Sequence, residues 1–345
     1  MPTLFFLLSG ENETLPQAEV KAILAAENIT HRELQNFPQI LRLETTYDAA
    51  EAVERRAAMT RTCCDELYSC EPIPCGILRE MREVSLDRFV NSQESFAVRI
   101  RRVKGAVKDL SSQNLERKLG REILNRVDGM KVSLRDPDRI FFGVITEDRF
   151  LFGMKLSEVV SRFSERRPRK RPFFHPSAMQ AKLARCMVNL AQPKRGDLLM
   201  DPFCGTGSFL IEAGLIGCRV LGFDVNRQMV RGSLENLQFF GVESGSAVVA
   251  DAKNPPTVEV DCVVTDPPYG RSASTMGYSS KQVIRDFLFP FAARSAPGQR
   301  ICMAAPVDVN LRKISEDCGF NNLQSHFVYV HRSLTREIVI METSG

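Results

Sequence analysis

The sequence predicts an α/β protein in which two small α+β units precede a domain built on a mostly parallel, doubly wound sheet. From residue 177 onward, five short apolar segments alternate with helical segments, and two further strand segments close the chain as an antiparallel hairpin. Before residue 157, strand and helix patterns are mixed and separated by turns rich in Pro and Asp. The 345 residues suffice for two or three domains of this kind.

Residues 1–80 form the first predicted unit. We expect a strand at Thr3–Leu8, a helix at Leu15–Glu27, a strand at Ile40–Glu44 and a helix across Tyr47–Leu67. Pro16 fits the first turn of the earlier helix, and Pro72 and Pro74 are expected to close the unit. The opening apolar run has no preceding positive charge and no cleavage pattern, so it predicts a strand rather than a signal peptide.

Residues 81–156 form the second predicted unit, which lies in the basic middle of the chain. We expect a strand at 95–103, a helix from Ser111 to Val127 and three short strands between 131 and 156. The net charge is −6 for residues 1–80, +9 for residues 81–173 and +1 for the remainder. Such a segment indicates polyanion binding, although a solvated cationic face is the commoner explanation of any single cluster.

A linker at 157–176 carries a dense group of cations. Pro168, Pro172 and Pro176 interrupt it, so it cannot be an ordinary helix. A solvated tether and a segment that lies against a phosphate backbone are both consistent with this composition. The candidate polyanion-binding side chains of the central segment are Arg99, Arg101, Arg117, Lys118, Arg166, Arg167, Arg169, Lys170 and Arg171.

The third predicted domain covers residues 177–345. After a helix at about 178–190, strands are expected at 197–201, 219–223, 246–250, 260–265 and 300–305. Helices at about 208–216, 227–240, 281–293 and 308–318 fill the gaps. The segments FVYVHRS and REIVIME form the closing hairpin. The expected sheet therefore has seven strands, of which the last is antiparallel.

A glycine-containing turn follows the first strand of this domain. It reads DPFCGTGSF from Asp201, and it opens a helix whose N-terminus offers free N–H groups. A phosphate-binding P-loop would need Gly-Lys-Ser/Thr, whereas Thr206-Gly207-Ser208 has no lysine. A dinucleotide fingerprint would need Gly or Ala where Leu210 stands. These differences argue against both a P-loop and a dinucleotide-binding turn.

Four successive strands of this domain end in an acidic residue. These residues are Asp201, Asp224, Asp251 and Asp266. Each alone is explained as well by a helix cap or a turn, but the carboxyl ends of parallel strands meet at one sheet edge. There Asp224 can bind ribose hydroxyls and Asp251 with Ala252 can meet an adenine edge.

The fourth acidic strand end is the segment Asp266-Pro267-Pro268-Tyr269. The prolines donate no hydrogen bond and favour extended backbone in the residues before them, so the carbonyl groups of this turn point outward. One carboxylate, outward carbonyls and an aromatic ring suit a flat substrate that carries an NH2 group. The Asp266 carboxylate and the Pro267 carbonyl would accept the two N–H bonds, and Tyr269 would stack on the ring.

This ordered series resembles the S-adenosylmethionine-dependent class I methyltransferases that act on exocyclic amino nitrogens. The resemblance covers residues 177–345 and implies a Rossmann-like fold with S-adenosylmethionine as cofactor. It implies that Asp266 to Tyr269 bind the target amine and its base. The cofactor-binding residues that it implies are Asp201, Phe203, Gly205, Thr206, Gly207, Asp224, Val225, Asp251 and Ala252.

The upstream segments narrow the expected substrate. Residues 81–156 resemble the THUMP domain of RNA-modifying enzymes, and residues 1–80 resemble the ferredoxin-like unit that precedes it. Together with the segment RPFFHPSAMQAKLARCMVNLA and DPPYG, the chain resembles the archaeal and eukaryotic tRNA guanine-10 N2-methyltransferase family. The resemblance implies tRNA as substrate, one or two methyl transfers, and a small zinc-binding activator protein as a candidate partner.

Three alternatives remain open on the sequence. Another THUMP-type enzyme could methylate guanine N2 or adenine N6 at a different RNA position, and the same tetrapeptide also serves glutamine amides in proteins. An RNA-binding protein with a degenerate cofactor fold is a non-enzymatic alternative, against which the intact Gly205 and Gly207 argue. Phe173 and Phe174 lie near the cofactor or base, or are two core aromatics. The choice of base is expected to involve the loop 271–280.

Cysteine and histidine content argues against a metal site. None of the ten cysteines forms a C-x-x-C pair, and the chain has four histidines. Only Cys63, Cys64, Cys70 and Cys75 are grouped, and we expect core thiols there rather than a disulfide or metal site. No apolar run reaches membrane-spanning length. We expect reduced thiols and a cytoplasmic location.

Overall fold

The computed structural model describes residues 1–91, 93–160, 162–257, 259–269 and 279–344. Its contacts divide the chain into two compact units. The first unit comprises Met1–Glu13, Ile29–Glu54 and Thr60–Val160. The second unit comprises Thr14–Asn28, Arg55–Met59 and Ser161–Gly345.

The first unit is built on one sheet with the strand order β2-β3-β1-β4-β8-β7-β5-β6. Its strands are β1 (Thr3–Leu8), β2 (His31–Glu33), β3 (Ile40–Thr45), β4 (Thr60–Cys70), β5 (Ser95–Arg102), β6 (Lys131–Val132), β7 (Arg139–Ile145) and β8 (Phe150–Glu158). β4 pairs with β8 in antiparallel fashion. The predicted boundary between residues 80 and 81 is therefore not a break in the sheet.

Three helices begin within the first unit: α2 (Asp48–Arg56), α3 (Pro74–Glu83) and α4 (Ser112–Leu124). The helix predicted across Tyr47–Leu67 is wrong in its second half, because the chain from Thr60 onward forms β4. β4 lies between β1 and β8, so residues on both of its faces are buried and the alternation typical of a strand is lost. Pro74 begins α3 rather than closing a unit.

The second unit contains the seven-stranded sheet that the sequence predicts. The strand order is β11-β10-β9-β12-β13-β15-β14. Its strands are β9 (Leu198–Asp201), β10 (Arg219–Asp224), β11 (Gly245–Val249), β12 (Cys262–Thr265), β13 (Arg300–Pro306), β14 (Phe320–His331) and β15 (Leu334–Thr343). The pairs among β9 to β13 are parallel, whereas β15 is antiparallel to both β13 and β14.

Helices cover both faces of this sheet. They are α1 (Leu15–Ala26), α5 (Ala181–Leu190), α6 (Ser208–Gly214), α7 (Arg227–Phe239), α8 (Ser280–Ala292) and α9 (Leu311–Asp317). Val264 of β12 packs in a cluster with residues of α5 and α6, whereas Val263 packs in a second cluster with residues of α8 and α9. β12 is thus buried on both faces, and its apolar run positions the polar tetrapeptide that follows at the sheet edge.

Helix α1 belongs to the second unit although it lies in the first eighty residues. Leu15, Ala18 and Ala22 join the core cluster that contains residues of α5. Glu19 is 0% exposed and accepts hydrogen bonds from the backbone N–H of Ala58 at 2.8 Å and of Met59 at 2.7 Å. The sequence predicts this helix, but its amphipathic pattern does not say against which sheet it packs.

Each of the ten cysteines is a free thiol. Cys63 and Cys64 are buried in β4, and burial raises the pKa of both thiols. Cys75, in contrast, is exposed. Within the described ranges, no group of three or more His, Cys, Asp or Glu side chains is placed to hold a metal ion. No helix in the part of the chain that the structure describes is long and apolar enough to cross a membrane.

Candidate active site

The acidic strand ends of the second unit meet around one cavity of about 690 Å³ at the carboxyl edge of the sheet. Twelve of the residues that the sequence predicts for the site line this cavity: Asp201, Phe203, Gly205, Thr206, Asp224, Val225, Asp251, Ala252, Asp266, Pro267, Pro268 and Tyr269. Gly207 lies directly behind this lining, at the start of α6. The parallel strands therefore bring together residues spread over almost seventy positions, as their order predicts.

The turn between β9 and α6 is held by hydrogen bonds to both neighbouring strands. Asp201 Oδ1 accepts from the Phe203 N–H at 3.1 Å and from the Thr265 hydroxyl at 2.7 Å. Asp224 Oδ2 accepts from the Gly205 N–H at 3.1 Å. These contacts tie β9, β10 and β12 together at the floor of the cavity.

Two glycines give the turn its shape. Gly205 has φ +50° and Gly207 has φ +79°, a backbone region that disfavours side chains. A Cβ atom on Gly205 would meet no atom of the described chain closer than 4.0 Å, so its backbone is open to close approach. A Cβ atom on Gly207 would lie 2.5 Å from Ser233 Oγ. The lack of a side chain at Gly205 thus leaves room for a ligand, and the lack of one at Gly207 leaves room for Ser233 of α7.

Burial dominates the ionisation of the carboxyl groups in the cavity. It raises the pKa of Asp201 to about 7, against the lowering effect of the hydrogen bonds from Thr265 and Phe203. It also raises the pKa of Asp266 to about 7, where the Arg336 guanidinium acts in the opposite direction. The pKa of Asp224 is raised by burial as well. Perturbed carboxyl groups that share one cavity are typical of functional sites.

Asp266 and Tyr269 share one cation that the sequence did not reveal. Arg336 Nη2 lies 3.2 Å from Asp266 Oδ2, and Arg336 Nε donates to the Tyr269 hydroxyl at 3.2 Å. The other carboxylate oxygen, Asp266 Oδ1, is buried and has no hydrogen-bond partner among the residues that the structure describes. Arg336 is the third residue of the apolar strand β15, which returns antiparallel beside β13, and no local motif marks it.

Further cavity residues were also missed by sequence reasoning. His175 to Gln180 contribute one wall, and Val330, His331 and Leu334 of the β14–β15 hairpin contribute another. Their proximity depends on the hairpin turning back over the sheet edge and on the path of the linker. The loop 271–280, which the sequence associates with the choice of base, lies mostly outside the described residues.

The predicted polyanion-binding residues fall into two groups. Arg101, Arg117, Lys118, Arg167, Arg169 and Lys170 are exposed. Arg99 instead donates to the backbone carbonyl groups of Leu134 and Val98. Arg166 and Arg171 are engaged internally, with Glu212 and Ser208 respectively. We keep the exposed side chains as the proposed polyanion-binding set and assign a structural contribution to Arg166 and Arg171.

Comparison with known families identifies two domains in the chain. The model described as an RMKL-like methyltransferase domain, UPF0020, matches residues 168–338. The THUMP domain model matches residues 77–154. Both segments agree with the resemblances that the motifs indicate. The match of the first model spans every strand end that lines the cavity.

Curated relatives and a solved structure match the chain over nearly its whole length. The chain is 38% identical to the tRNA (guanine(10)-N2)-dimethyltransferase of Methanothermobacter thermautotrophicus, covering 98% of this chain and 99% of the relative. It is 31% identical to the enzyme of the same name from Methanocaldococcus jannaschii, with 96% and 97% covered. The crystal structure of TrmN from Thermus thermophilus aligns with a TM-score of 0.58 at 18% identity over 99% of both chains. That likeness confirms the predicted fold class.

Proposed function

This chain belongs to the family of tRNA (guanine(10)-N2)-dimethyltransferases, and we propose that it methylates the exocyclic N2 amine of guanosine 10 in tRNA with S-adenosylmethionine as methyl donor. One observation carries the assignment of the reacting group. Asp266 lines the cavity together with Tyr269, and its buried oxygen Oδ1 has no hydrogen-bond partner within the described chain. A buried acceptor in this state is costly unless a ligand satisfies it.

The residues of the cavity fit the methyl donor. Asp224 offers carboxylate oxygens at the end of β10, where ribose hydroxyls are bound in doubly wound sheets. Gly205 permits close approach to its backbone. The Thr206 hydroxyl is buried, and it lacks a partner in the described ranges. When bound, the cofactor supplies a methyl group on a positively charged sulfur, which is the electrophile of the reaction.

The tetrapeptide after β12 orients the guanine amine, which is the nucleophile. The lone pair of the guanine amine is delocalised into the ring, so it must be redirected towards the methyl group. Asp266 Oδ1 accepts one N–H bond and the Pro267 carbonyl accepts the other, which concentrates the lone pair on N2. Arg336 occupies Asp266 Oδ2 and leaves Oδ1 for the substrate. When the N–C bond forms and the methyl–sulfur bond of the donor breaks, N2 would have one proton to lose, and the Asp266 carboxylate that holds the amine would accept it.

Tyr269 holds the base. A guanosine in a stem must leave its stack before its amine can reach the tetrapeptide, and the ring of Tyr269 replaces part of the lost stacking. Arg336 restrains that ring, since its guanidinium carbon lies 5.6 Å from the ring centre and its Nε bonds the hydroxyl group. A cavity of about 690 Å³ is of the size that accommodates a cofactor and part of a substrate.

Product mapping tests the proposal directly. The protein is incubated with S-adenosylmethionine labelled on the methyl group and with unmodified tRNA, and the digested nucleosides are mapped. We expect N2-methyl and N2,N2-dimethyl guanosine at position 10. Label on adenine N6, or on guanine at another position, would assign the chain to a different RNA methyltransferase activity. Label on protein glutamine would exclude the RNA substrate.

Asp266→Ala tests the division of tasks within the cavity. We expect transfer to fall by at least about 100-fold, because the substituted side chain cannot orient the amine or take up charge. Cofactor affinity measured by calorimetry should change little, because the cofactor contacts are assigned to other strand ends. Asp266→Asn is the matched control for shape. A loss of cofactor affinity equal to the loss of transfer would show that the assignment of Asp266 to the amine is wrong.

Two further proposals rest on the family. We infer that the protein acts in the cytoplasm, where its tRNA substrate is available. We also keep a small zinc-binding activator protein as a proposed partner, which would dock on an exposed sheet edge by strand addition. Pull-down from cell extract with the catalytically silent Asp266→Ala variant, followed by mass spectrometry, tests this partner.

A further inference from the structure

Two arginines of the cationic linker, Arg166 and Arg171, hold it against helix α6. Arg166 Nε donates to Glu212 Oε1 at 2.7 Å, and Arg171 Nη1 donates to Ser208 Oγ at 2.7 Å. Arg171 Nε also donates to the Arg166 carbonyl at 3.1 Å. Glu212 is 0% exposed and Arg171 is 5% exposed. The backbone between these two arginines is therefore held at both of its ends.

The end of the linker is fastened as well. Asn236 is 0% exposed; its Oδ1 accepts from the Phe173 N–H and its Nδ2 donates to the Phe173 carbonyl, both at 3.0 Å. The same Nδ2 donates to the Thr206 carbonyl at 3.0 Å, in the turn between β9 and α6. The Phe173 ring packs so closely on Gly232 that a Cβ atom there would lie 2.0 Å from it. A solvated tether needs none of these contacts.

Three residues within or just after the fastened stretch are exposed, whereas Pro168 is buried. Arg167, Arg169 and Phe174 are exposed, and they line a groove of about 350 Å³, which we call the linker groove. The groove shares three lining residues with the active-site cavity: Pro176, Ala178 and Gln180. Two guanidinium groups and one aromatic ring are thus presented on a fixed backbone directly beside the cavity.

We propose that the linker groove binds a nucleotide next to the methylated guanosine, with Phe174 stacking on its base and Arg167 and Arg169 pairing with its phosphate groups. The proposal rests on the proposed function, since its occupant is the substrate strand. Extruding the target base exposes the face of a neighbouring base, and an aromatic side chain can replace that lost contact. A strand that leaves the cavity over Pro176 and Ala178 arrives in the groove, where cations neutralise its backbone.

Substitution of the groove residues tests the proposal through the tRNA. We expect Phe174→Ala to raise the KM for tRNA about tenfold, the order found when one base loses a stacking partner. Phe174→Tyr should restore the wild-type value. We expect the pair Arg167→Gln and Arg169→Gln to weaken tRNA binding and to reduce the slope of log affinity against log salt concentration by about two. Affinity for S-adenosylmethionine should stay unchanged in each variant.

Arg162→Gln is the matched control. Arg162 is an exposed arginine of the same linker that does not line the groove, so its replacement should leave the KM for tRNA at the wild-type value. Equal effects of Arg162→Gln and of the groove pair on the salt slope would reduce the linker to a diffuse cationic tether and overturn the proposal.

Crosslinking identifies the occupant. Each neighbour of guanosine 10 is replaced in turn by 5-iodouridine, the complex is irradiated and the attached peptide is mapped. We expect one neighbour to crosslink to the peptide that contains Phe174. If the wild-type protein methylates guanosine 10 but neither neighbour crosslinks there, the linker-groove proposal fails and the proposed function stands. If the wild-type protein does not methylate guanosine at all, the proposed function fails first.

Discussion

The side chain of Arg336 reaches Asp266 and Tyr269 from the first residues of β15. Asp201 lines the same cavity, and after burial the charge of Asp266 contributes to the raised pKa of Asp201. Burial raises the pKa of Asp266 to about 7 and Arg336 works against that rise. In the proposed mechanism the carboxylate form of Asp266 accepts the N–H bond of the substrate, so we infer that Arg336 positions Asp266 and favours that ionisation state.

Replacing Arg336 should therefore move the pH dependence of methyl transfer. The wild-type kcat/KM should rise with pH through the titration of Asp266, near pH 7. In Arg336→Gln the favourable cation is lost and the pKa of Asp266 increases, so the acid limb of the profile should move to higher pH by roughly one unit or more. Initial rates over a pH series at saturating S-adenosylmethionine measure this shift.

Two variants separate charge from position. Arg336→Lys keeps a cation, so its acid limb should lie closer to that of the wild type. Tyr269→Phe removes the other contact of Arg336 without a change of charge, and its acid limb should not move although its rate falls. A uniform loss of rate in Arg336→Gln, with the acid limb unmoved, would restrict Arg336 to a structural contribution.

The turn from β9 to α6 depends on two glycines for different reasons. Gly205 keeps its backbone accessible from the cavity, whereas Gly207 gives room to α7 through Ser233. Both have a positive φ, which costs about 1–2 kcal/mol for a residue with a side chain. The residue types at these two positions follow from the shape of the turn.

Gly207→Ala should damage this turn. We expect the free energy of unfolding to fall by about 2 kcal/mol or more, because the positive φ and the close approach to Ser233 Oγ both become unfavourable. Cofactor affinity should fall with it, since Thr206 and Ser208 shift together with residue 207. Denaturant titration and calorimetry provide the two values.

Ser233→Ala is the background that isolates the steric part. In that background Gly207→Ala should cost less, because the hydroxyl oxygen at 2.5 Å is removed and the strain of the positive φ remains. An equal cost in both backgrounds would mean that the contact with Ser233 is relieved by other shifts.

The sequence pattern did not predict strand β4, and the pairing of this strand explains why. The segment from Thr60 to Cys70 has no alternation of polar and apolar residues, and it follows a helical pattern without a break that a proline or glycine would mark. Its strand state comes from pairing with β1 on one side and β8 on the other, with Phe5 opposite Cys64. The partner strand β8 lies some ninety residues further along the chain, so no local window contains this information.

At the scale of the whole molecule, the N-terminal segment contributes structure to both units. Helix α1 and residues 55–59 pack in the second unit, where Glu19 of α1 accepts hydrogen bonds from the backbone of Ala58 and Met59. Glu19 also accepts from Asn189 Nδ2 at 2.8 Å, so it joins α1 to α5. Burial raises the pKa of Glu19, against the lowering effect of these hydrogen bonds. One fully buried carboxyl group thus connects three segments that are distant in sequence.

Glu19→Ala should destabilise the second unit. The substitution leaves two backbone N–H groups without their acceptor, and the Asn189 amide keeps only its bond to the Arg56 carbonyl. We expect a loss of about 3 kcal/mol or more in the free energy of unfolding. Glu19→Gln keeps an acceptor oxygen of nearly the same shape and should cost less. Thermal and denaturant unfolding, followed by hydrogen exchange of α1 and α5, measure the effect. An unchanged unfolding transition in Glu19→Ala would show that α1 is held by its apolar residues alone.

The sequence by itself determined the seven-stranded sheet, its glycine turn and its four acidic strand ends. This was possible because parallel strands buried on both faces produce continuous apolar runs, and because strand ends of one sheet converge on a single edge. From those motifs followed the class of reaction and the residues proposed to perform it. The assignment of each proposed contact to cofactor or substrate remains a prediction from the sequence.

Only the tertiary structure decided which charged side chains are available to bind a ligand and which are paired within the protein. Arg336 joins Asp266 through an antiparallel return of the chain, and contacts with α6 divide the linker arginines into fastened and exposed ones. Helix α1 packs in a different unit from the strands that flank it in sequence. A charge count records arginines without their partners, because burial and ion pairing depend on residues that meet only in the folded chain.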